Sequence, residues 1–294
     1  MKRNEFLMLI SWLPLTTTAM SLSELNKLTS TLEASDIMPV LFVGHGSPMN
    51  GIENNEFSHS WELLAKQIQV PKAVICISAH WYTKGTKITA MNHPKTIHDF
   101  GGFPKELFEV QYPAPGNSIL ATEASKLIKK TTVGLDHEWG LDHGTWSVVK
   151  RMYPHANIPI LQLSIDYTKP ASYHYELAKE LYSLRQKGVL FIGSGNMVHN
   201  LGMVAWDKLN DPEYGYDWAH EINATFKKHI LNNNHQALID YEKLGKSALL
   251  AIPTPEHYLP LIYTLGLTTI KDKPTLFNDK AIGGSLTMTS VKYC

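Results

Sequence analysis

The sequence predicts a single α/β domain in which helices flank a central sheet that is mostly parallel or mixed. Val- and Ile-rich runs typical of buried strands alternate along the chain with stretches of helical periodicity. A chain of 294 residues is long enough to enclose one large hydrophobic core. No internal repeat, low-complexity segment or linker divides it. We therefore assign residues 1–35 to an N-terminal extension, leader-like or helical, and residues 36–294 to one domain.

Five apolar runs predict the strands. "MPVLFVG" at residues 38–44 and "KAVICISAHW" at 72–81 show little polar alternation, which is typical of strands buried on both faces. "IPILQLSI" at 158–165 and "GVLFIGSG" at 188–195 follow the same pattern. "GSLTMTSV", around Ser285, predicts a closing strand.

Helical periodicity is found between these runs. The predicted helices cover residues 58–68, about 117–130, about 170–186, 216–231 and 257–265. Pro170 suits the first turn of its helix, where the amide hydrogen it lacks has no intrahelical partner. Because these helices alternate with strands, we expect helices on both faces of the sheet.

The composition limits the classes of partner and of metal site. Hydrophobic residues make up 44% and charged residues 18% of the chain, as in soluble globular proteins. Lys+Arg and Asp+Glu each number 27, and no basic stripe stands out, which argues against a nucleic-acid partner. Two cysteines, Cys76 and Cys294, form neither a disulfide framework nor a thiolate metal cluster. With 14 histidines in the chain, any metal would therefore use nitrogen and oxygen ligands.

The N-terminus has some features of a short secretory signal. Lys2 and Arg3 precede the apolar stretch "FLMLISWLPL" and the small, polar stretch "TTTA". Trp12 and Pro14 interrupt the apolar stretch, which is too short to span a bilayer. We expect a cytoplasmic protein without a membrane partner, and export to the periplasm is the alternative.

Small, polar sequences follow three of the predicted strands: "GHGS", "SAHW" and "GSGN". Ligands of open α/β sheets bind outside the carboxyl ends of the strands, so these ends should meet at one pocket. A single loop histidine often only satisfies local hydrogen bonds. Two at equivalent strand ends, His45 and His80, predict the first two ligands of a metal ion. Glycines on both sides of His45 would let the backbone turn sharply.

Three further stretches offer the rest of a metal site. In "TPEHYLP", either Glu256 or His257 can be the third ligand. His199 follows the third strand end by four residues and can serve as a fourth ligand or as a general base. His143 lies in the loop-like stretch "LDHGTW", where Asp142 can orient its ring.

Residues near these stretches are candidates for contact with a substrate. His98 can line a pocket, and Trp81 and Phe103 can pack on an aromatic ring. Core packing is the commoner role of such aromatic residues, including Phe100, Tyr112 and Trp146. The three arginines lie outside these stretches, so no carboxylate clamp is predicted. Four histidines in polar helical stretches are expected to face solvent: His174, His220, His229 and His235.

Eight stretches, in consistent order between residues 38 and 291, resemble those of one enzyme family. They are "LFVGHGSPMN", "SAHWYTKGT", "TIHDFGGFP", "YPAPG", "DHGTW", "YPHANIPILQLSID", "GSGNMVHN" and "TPEHYLPLIY". They resemble the extradiol aromatic ring-opening dioxygenases of the 4,5-DOPA dioxygenase type, within the protocatechuate dioxygenase beta-subunit-like superfamily. The resemblance implies one α/β catalytic domain, in agreement with the pattern of elements, and leaves the first 35 or so residues outside.

The resemblance also implies roles for the histidines. His45, His80 and His257 match the metal ligands of the family. His199 matches a position read either as a further ligand or as the acid/base, and His143 matches a pocket histidine that contacts a substrate hydroxyl. The implied reaction opens a small aromatic diol, a catechol such as L-DOPA, with O2 to give a semialdehyde. The oligomeric state is not indicated.

The donor set leaves the identity of the mononuclear divalent metal open between Zn(II) and Fe(II). Ring-cleaving dioxygenases usually hold Fe(II) with two histidines and one carboxylate, whereas three or four histidines suit zinc at least as well. A zinc-dependent hydrolase at the same site is therefore the first alternative function. The second is a non-catalytic module that binds a metal or a phenolic ligand.

Overall fold

The computed structural model describes residues 37–209 and 211–294, so the predicted extension at residues 1–35 lies outside the described residues. The strands are β1 (Val40–Gly44), β2 (Ala73–Ser78), β3 (Tyr82–Thr83), β4 (Lys87–Thr89), β5 (Gly134–Asp136), β6 (Ile160–Gln162), β7 (Ile165–Asp166), β8 (Val189–Gly195), β9 (Pro274–Phe277), β10 (Ala281–Ile282), β11 (Leu286–Thr287) and β12 (Ser290–Tyr293). The helices are α1 (Glu56–Gln67), α2 (Lys105–Phe108), α3 (Ser118–Leu127), α4 (His143–Met152), α5 (Ala171–Lys179), α6 (Asp217–Leu231), α7 (His235–Ile239), α8 (Lys246–Ala251) and α9 (Leu259–Gly266).

The central sheet has six strands in the order β6-β2-β8-β1-β12-β9. The first four are parallel to one another, while β12 and β9 add an antiparallel edge. Gly44 pairs with Gly195, and Ser78 pairs with Ser194, so β1, β2 and β8 end level with one another. The predicted mixed sheet is confirmed, and three strand ends share one edge.

Helices cover both faces of this sheet, as predicted. Alternate side chains of β1 enter different cores: Val40 and Phe42 pack on one side, and Leu41 and Val43 on the other. Helices α5 and α9 cover the first face, and α1 and α4 cover the second. Burial of each such side chain contributes about 1.5–3 kcal/mol to stability. The sheet is therefore held rigidly between two apolar layers.

Several predicted elements are shorter in the structure. Of the run at 158–165, only Ile160–Gln162 joins the central sheet, and Ile165–Asp166 pairs with Tyr82–Thr83 instead. The helix predicted to reach residue 186 ends at Lys179 and is followed by a 3-10 turn, Tyr182–Lys187. The closing run is divided into β11 and β12. None of the helices in the described ranges combines the length and apolar character needed to cross a membrane.

Two expectations about the fold were wrong, and a third, that His235 faces solvent, was wrong in part: this residue is partly buried, and its Nδ1 lies 3.0 Å from the Tyr175 hydroxyl. The stretch around His143 is not a loop but the first turn of α4, which Asp142 caps by accepting a hydrogen bond from the Thr145 amide at 3.0 Å. His174 is fully buried and not solvent-facing: its Nδ1 lies 3.0 Å from the Tyr263 hydroxyl. The polar neighbours of His174 conceal this contact, because they do not indicate which way the ring points.

Candidate metal centre

His45 and His80 occupy the strand ends at which they were predicted. His45 follows β1 directly, and its amide donates to the Gly195 carbonyl at 3.1 Å. Gly46 has a φ of +59°, a left-handed conformation that a side chain disfavours, so the sharp turn after His45 requires glycine. His80 follows β2, and its amide donates to the Ser78 hydroxyl at 3.2 Å. The level ends of the two strands therefore bring both rings to the same place.

His257 reaches this place from a separate loop between α8 and α9. A Cβ atom at Gly195 would collide with the His257 carbonyl oxygen, so the approach depends on the glycine at the end of β8. The Asn196 amide donates to the same oxygen at 2.9 Å. The loop is therefore fixed to the strand edge through its backbone.

The three histidines form a group that can hold a metal ion. One ring nitrogen from each of His45, His80 and His257 lies within 4.8 Å of the others. The two Nε2 atoms of His45 and His80 are 3.2 Å apart. Two ligand atoms of a tetrahedral ion, each about 2.0–2.1 Å from it, would be about 3.3 Å apart. The residues present therefore fit a small divalent cation.

Each of these rings has an acceptor at its other nitrogen. Ser194 Oγ donates to the Gly144 carbonyl, so it is free to accept from His45 Nδ1, 3.0 Å away. His80 Nδ1 lies 3.4 Å from Asp99 Oδ2, and His257 Nδ1 lies 3.2 Å from Glu256 Oε1. Partners of this kind fix the tautomer of a ligand histidine. They leave the three Nε2 atoms with lone pairs available for a cation.

Burial keeps these imidazoles neutral, which is the form that binds metals. Desolvation is the main cause that lowers the pKa of His45 and of His257 well below the usual value, and neighbouring histidines add to it. Desolvation likewise lowers the pKa of His80, followed by the charge of His143, although Asp99 opposes the shift. At neutral pH, the cluster therefore presents uncharged nitrogen donors.

Asp99 links His80 to His143. Its Oδ2 lies 3.0 Å from His143 Nδ1, and its Oδ1 accepts from the His143 amide at 2.9 Å. Burial raises the pKa of Asp99, but hydrogen bonds and charge from His143, with charge from His80, outweigh it and lower the pKa overall. The prediction that Asp142 orients His143 was therefore wrong. Asp142 instead accepts from the Thr145 amide and from Gln162 Nε2.

His199 lies beside His257 but outside the three-histidine group. Their rings stack with centroids 3.5 Å apart and an interplanar angle of 7°. His199 forms a separate group with Glu256 and His257, and desolvation lowers its pKa to about 4. The structure thus brings His199 to the cluster without placing it among the three converging nitrogens.

Two of the predicted substrate-binding residues, His98 and Phe103, contact the ring of Phe100. His98 Nε2 lies 3.0 Å from the Val110 carbonyl oxygen. Phe100 stands between His98 and His143, with ring centroids 5.8 and 5.6 Å from theirs. Phe103 packs against Phe100, with centroids 5.4 Å apart. Their contact with a substrate stays a prediction.

Trp81 is buried and stacks on Trp139, with centroids 5.9 Å apart. Tyr112 and Trp146 belong to the core, where the Tyr112 hydroxyl donates to the Tyr153 carbonyl and the Trp146 indole donates to Ile97.

Sequence reasoning missed three residues around the cluster: Asp99, Ser194 and Trp139. Asp99 lies inside the quoted stretch "TIHDFGGFP", where only the neighbouring histidine was considered. Ser194 lies inside "GSGN", a strand end that was expected at the pocket but whose serine was given no role. Trp139 lies outside all the quoted stretches, so no motif pointed to it.

Comparisons with known proteins identify relatives of the whole described domain. Residues 39–284 match the family model described as the catalytic LigB subunit of aromatic ring-opening dioxygenase. A protein of Escherichia coli (strain K12) named 4,5-DOPA dioxygenase extradiol is 44% identical over 88% of this chain and 96% of its own length. A protein of Beta vulgaris with the same name is 32% identical over 88% of this chain and 97% of its own length.

A solved structure supports the same relationship. The crystal structure of an uncharacterized protein from Escherichia coli K12 superposes with a TM-score of 0.75 and 40% sequence identity. The alignment covers 87% of this chain and 99% of that one.

Proposed function

The chain belongs to the family of catalytic LigB subunits of aromatic ring-opening dioxygenases, and we propose that it opens a catechol such as L-DOPA with O2. The ring bond beside the diol breaks, both oxygen atoms enter the product, and a semialdehyde forms. Relatives named 4,5-DOPA dioxygenase extradiol support the choice of substrate. The observation that carries the proposal is the convergence of His45, His80 and His257, each with its Nδ1 next to an acceptor.

These three histidines would hold a mononuclear Fe(II) ion. When bound, Fe(II) supplies the redox chemistry that lets O2 react with an aromatic ring, which zinc does not have. No carboxylate oxygen belongs to the three-histidine group, although Glu256 contacts His257. Glu256 would therefore orient His257 rather than coordinate the metal.

His199 is the acid/base in this proposal, and the geometry of its ring is the reason. A ligand lone pair lies in the plane of its imidazole, and the His199 and His257 rings are nearly parallel with centroids 3.5 Å apart. The lone pairs of His199 and His257 therefore lie in separate, nearly parallel planes, so the two rings would not both bind the same ion. Because its pKa is lowered to about 4, His199 is neutral at pH 7 and can accept the proton of a catechol hydroxyl.

His143 holds the second hydroxyl of the substrate. Its Nδ1 faces Asp99, so Nε2 is the atom that contacts the substrate. Asp99 is the positioning residue, since one carboxylate contacts both His143 and His80. Phe100, against His143, helps to exclude water from this side of the ring.

The test measures oxygen uptake and the yellow absorbance of a semialdehyde. Metal-free protein is reloaded anaerobically with Fe(II) or, separately, with Zn(II), and L-DOPA or another catechol is added. We expect turnover with iron only. No uptake with either metal across a catechol panel would overturn the proposal.

A zinc-dependent hydrolase is the second candidate, and the all-histidine donor set favours it. Three histidines with one open position form a known catalytic zinc site, in which the ion activates a water molecule. Cleavage of esters or amides by the zinc-loaded protein without oxygen uptake would establish this function. Binding of catechol without turnover, unaffected by changes at His199 and His143, would indicate a non-catalytic module.

A further inference from the structure

A cavity of about 420 Å³ lies beside the histidine cluster, and the proposed function assigns no role to it. This size is within the range of pockets that hold small ligands. The residues that matter here are His80, Trp81, Tyr82, Lys95, Glu138 and Trp139.

The cavity adjoins the metal centre through His80, which belongs to both. Tyr82, two residues after His80, also lines the cavity. A ring bound at the cluster can therefore extend a substituent into this cavity.

An aromatic wall lines the cavity, and a tight turn holds it in place. The Trp81 and Trp139 rings are nearly parallel, with an interplanar angle of 6°. Asp136 Oδ1 accepts from the amides of Glu138 and Trp139, at 3.0 and 2.8 Å. This turn places the indole of Trp139 and the carboxylate of Glu138 at the same opening.

Two opposite charges at the cavity are without ionic partners. Lys87 Nζ and Asp136 Oδ2 also line it, but they pair with each other at 3.1 Å. Lys95 and Glu138 are exposed, and within residues 37–209 and 211–294 neither has an ion-pair partner within 4 Å. One free cation and one free anion beside an apolar wall complement a substituent that carries both charges.

We propose that Lys95 and Glu138 select catechols whose side chain is a zwitterionic α-amino acid. Lys95 binds the carboxylate, Glu138 binds the ammonium group, and Trp139 packs on the connecting carbons. This assignment rests on the proposed function, which places the diol at the cluster. It supplies the recognition of a carboxylate that no arginine near the motifs provides.

Four catechols separate the two charges: L-DOPA carries both, 3-(3,4-dihydroxyphenyl)propanoate only the carboxylate, dopamine only the ammonium group, and 4-methylcatechol neither. For each, kcat/KM is measured from oxygen uptake by the iron-loaded protein and divided by the value for 4-methylcatechol. Lys95→Gln should lower this ratio roughly 3- to 10-fold for the two carboxylates, as expected for partly exposed charged hydrogen bonds. Glu138→Gln should lower it similarly for L-DOPA and dopamine.

Lys84→Gln is the matched control, because Lys84 is an exposed lysine outside the cavity lining. It should leave every ratio within about 2-fold. The assignment is overturned if the kcat/KM ratios stay constant in both Lys95→Gln and Glu138→Gln, or if they fall equally in Lys84→Gln. Neither result would contradict the proposed ring cleavage.

Calorimetric titration of the metal-loaded protein with L-DOPA separates this assignment from the proposed function. If no catechol is turned over, the proposed function fails. Weaker L-DOPA binding in Lys95→Gln than in Lys84→Gln would then still support the binding site. Equal L-DOPA affinity of the two variants would overturn the assignment, and so would an absence of L-DOPA binding to the unsubstituted protein.

Discussion

The two sides of the histidine cluster are held by different chemistry. On the strand side, His45 is buried and contacts the neutral hydroxyl of Ser194, the last residue but one of β8. On the loop side, Asp99 lies between β4 and α2, and its carboxylate, 17% exposed, contacts the rings of both His80 and His143. Strand register fixes the positions of His45 and Ser194, whereas an ionic partner from a loop orients the rings of His80 and His143. Substitutions on the two sides should therefore have effects of different size.

The largest effect should come from the strand side itself. His45→Ala removes one of the three proposed ligands, so we expect metal content and ring cleavage both to fall by more than the roughly 100-fold that loss of a supporting residue costs. Metal content is measured by elemental analysis after dialysis. His59→Ala, at an exposed histidine on α1, is the control and should change neither quantity. Full metal content in His45→Ala would remove His45 from the ligand set.

His199 tests whether every histidine near the cluster is a ligand. His199→Ala should lower kcat by roughly 10²–10⁴-fold, the usual contribution of a general acid or base, while metal content stays unchanged. Oxygen uptake at saturating catechol measures kcat, and elemental analysis measures the metal content. Equal losses of metal and activity would instead make His199 a ligand.

A direct comparison of the two sides uses the partners of the histidines. Asp99→Asn should weaken metal binding or activity about 10- to 100-fold, because it removes the charge that holds two rings. Ser194→Ala should cost about 10-fold or less, since a neutral hydrogen bond contributes only about 0.5–1.5 kcal/mol. Competition with a fluorescent chelator measures both affinities. The reverse order would show that strand register alone does not hold His45.

The positions of His45 and His80 could be predicted from sequence, and the reason is geometric. Parallel strands end at the same edge of a sheet, so histidines that follow β1 and β2 must be close together whatever the loops do. His257 required the family resemblance to choose it over Glu256. Glu256 contacts His257 Nδ1 because of the direction in which its side chain points, and the spacing of residues along the chain does not predict that direction.

The loop residues that contact the cluster and the cavity could not be predicted in the same way. Asp99 is 44 residues from His143 in the chain, and Trp139 is 58 residues from Trp81. No periodicity relates such positions, because irregular loops bring them together. Asp142, adjacent to His143, was the natural choice from sequence but serves as a helix cap instead.

His174 provides a third case, a buried histidine that belongs to neither side. Desolvation lowers its pKa to about 4, so burial and a lowered pKa do not by themselves mark a functional site. Its unfolded value, about 6.5, is higher, so the unfolded chain takes up the proton first as pH falls. The stability contributed by neutral His174 is therefore complete above about pH 6.5 and is lost progressively towards pH 4. The loss amounts to about 3 kcal/mol at most.

The smallest effect on activity should come from this residue. In His174→Asn, the free energy of unfolding should fall less steeply between pH 6.5 and 4.5 than in the unsubstituted protein, while ring cleavage at pH 7 is retained. Urea unfolding at several pH values measures the slope, and His220→Asn, at an exposed histidine, should leave it unchanged. An unchanged slope in His174→Asn would mean that the acid sensitivity resides in the cluster. If His174→Asn lost ring cleavage while remaining folded, His174 would have to be counted as part of the functional site.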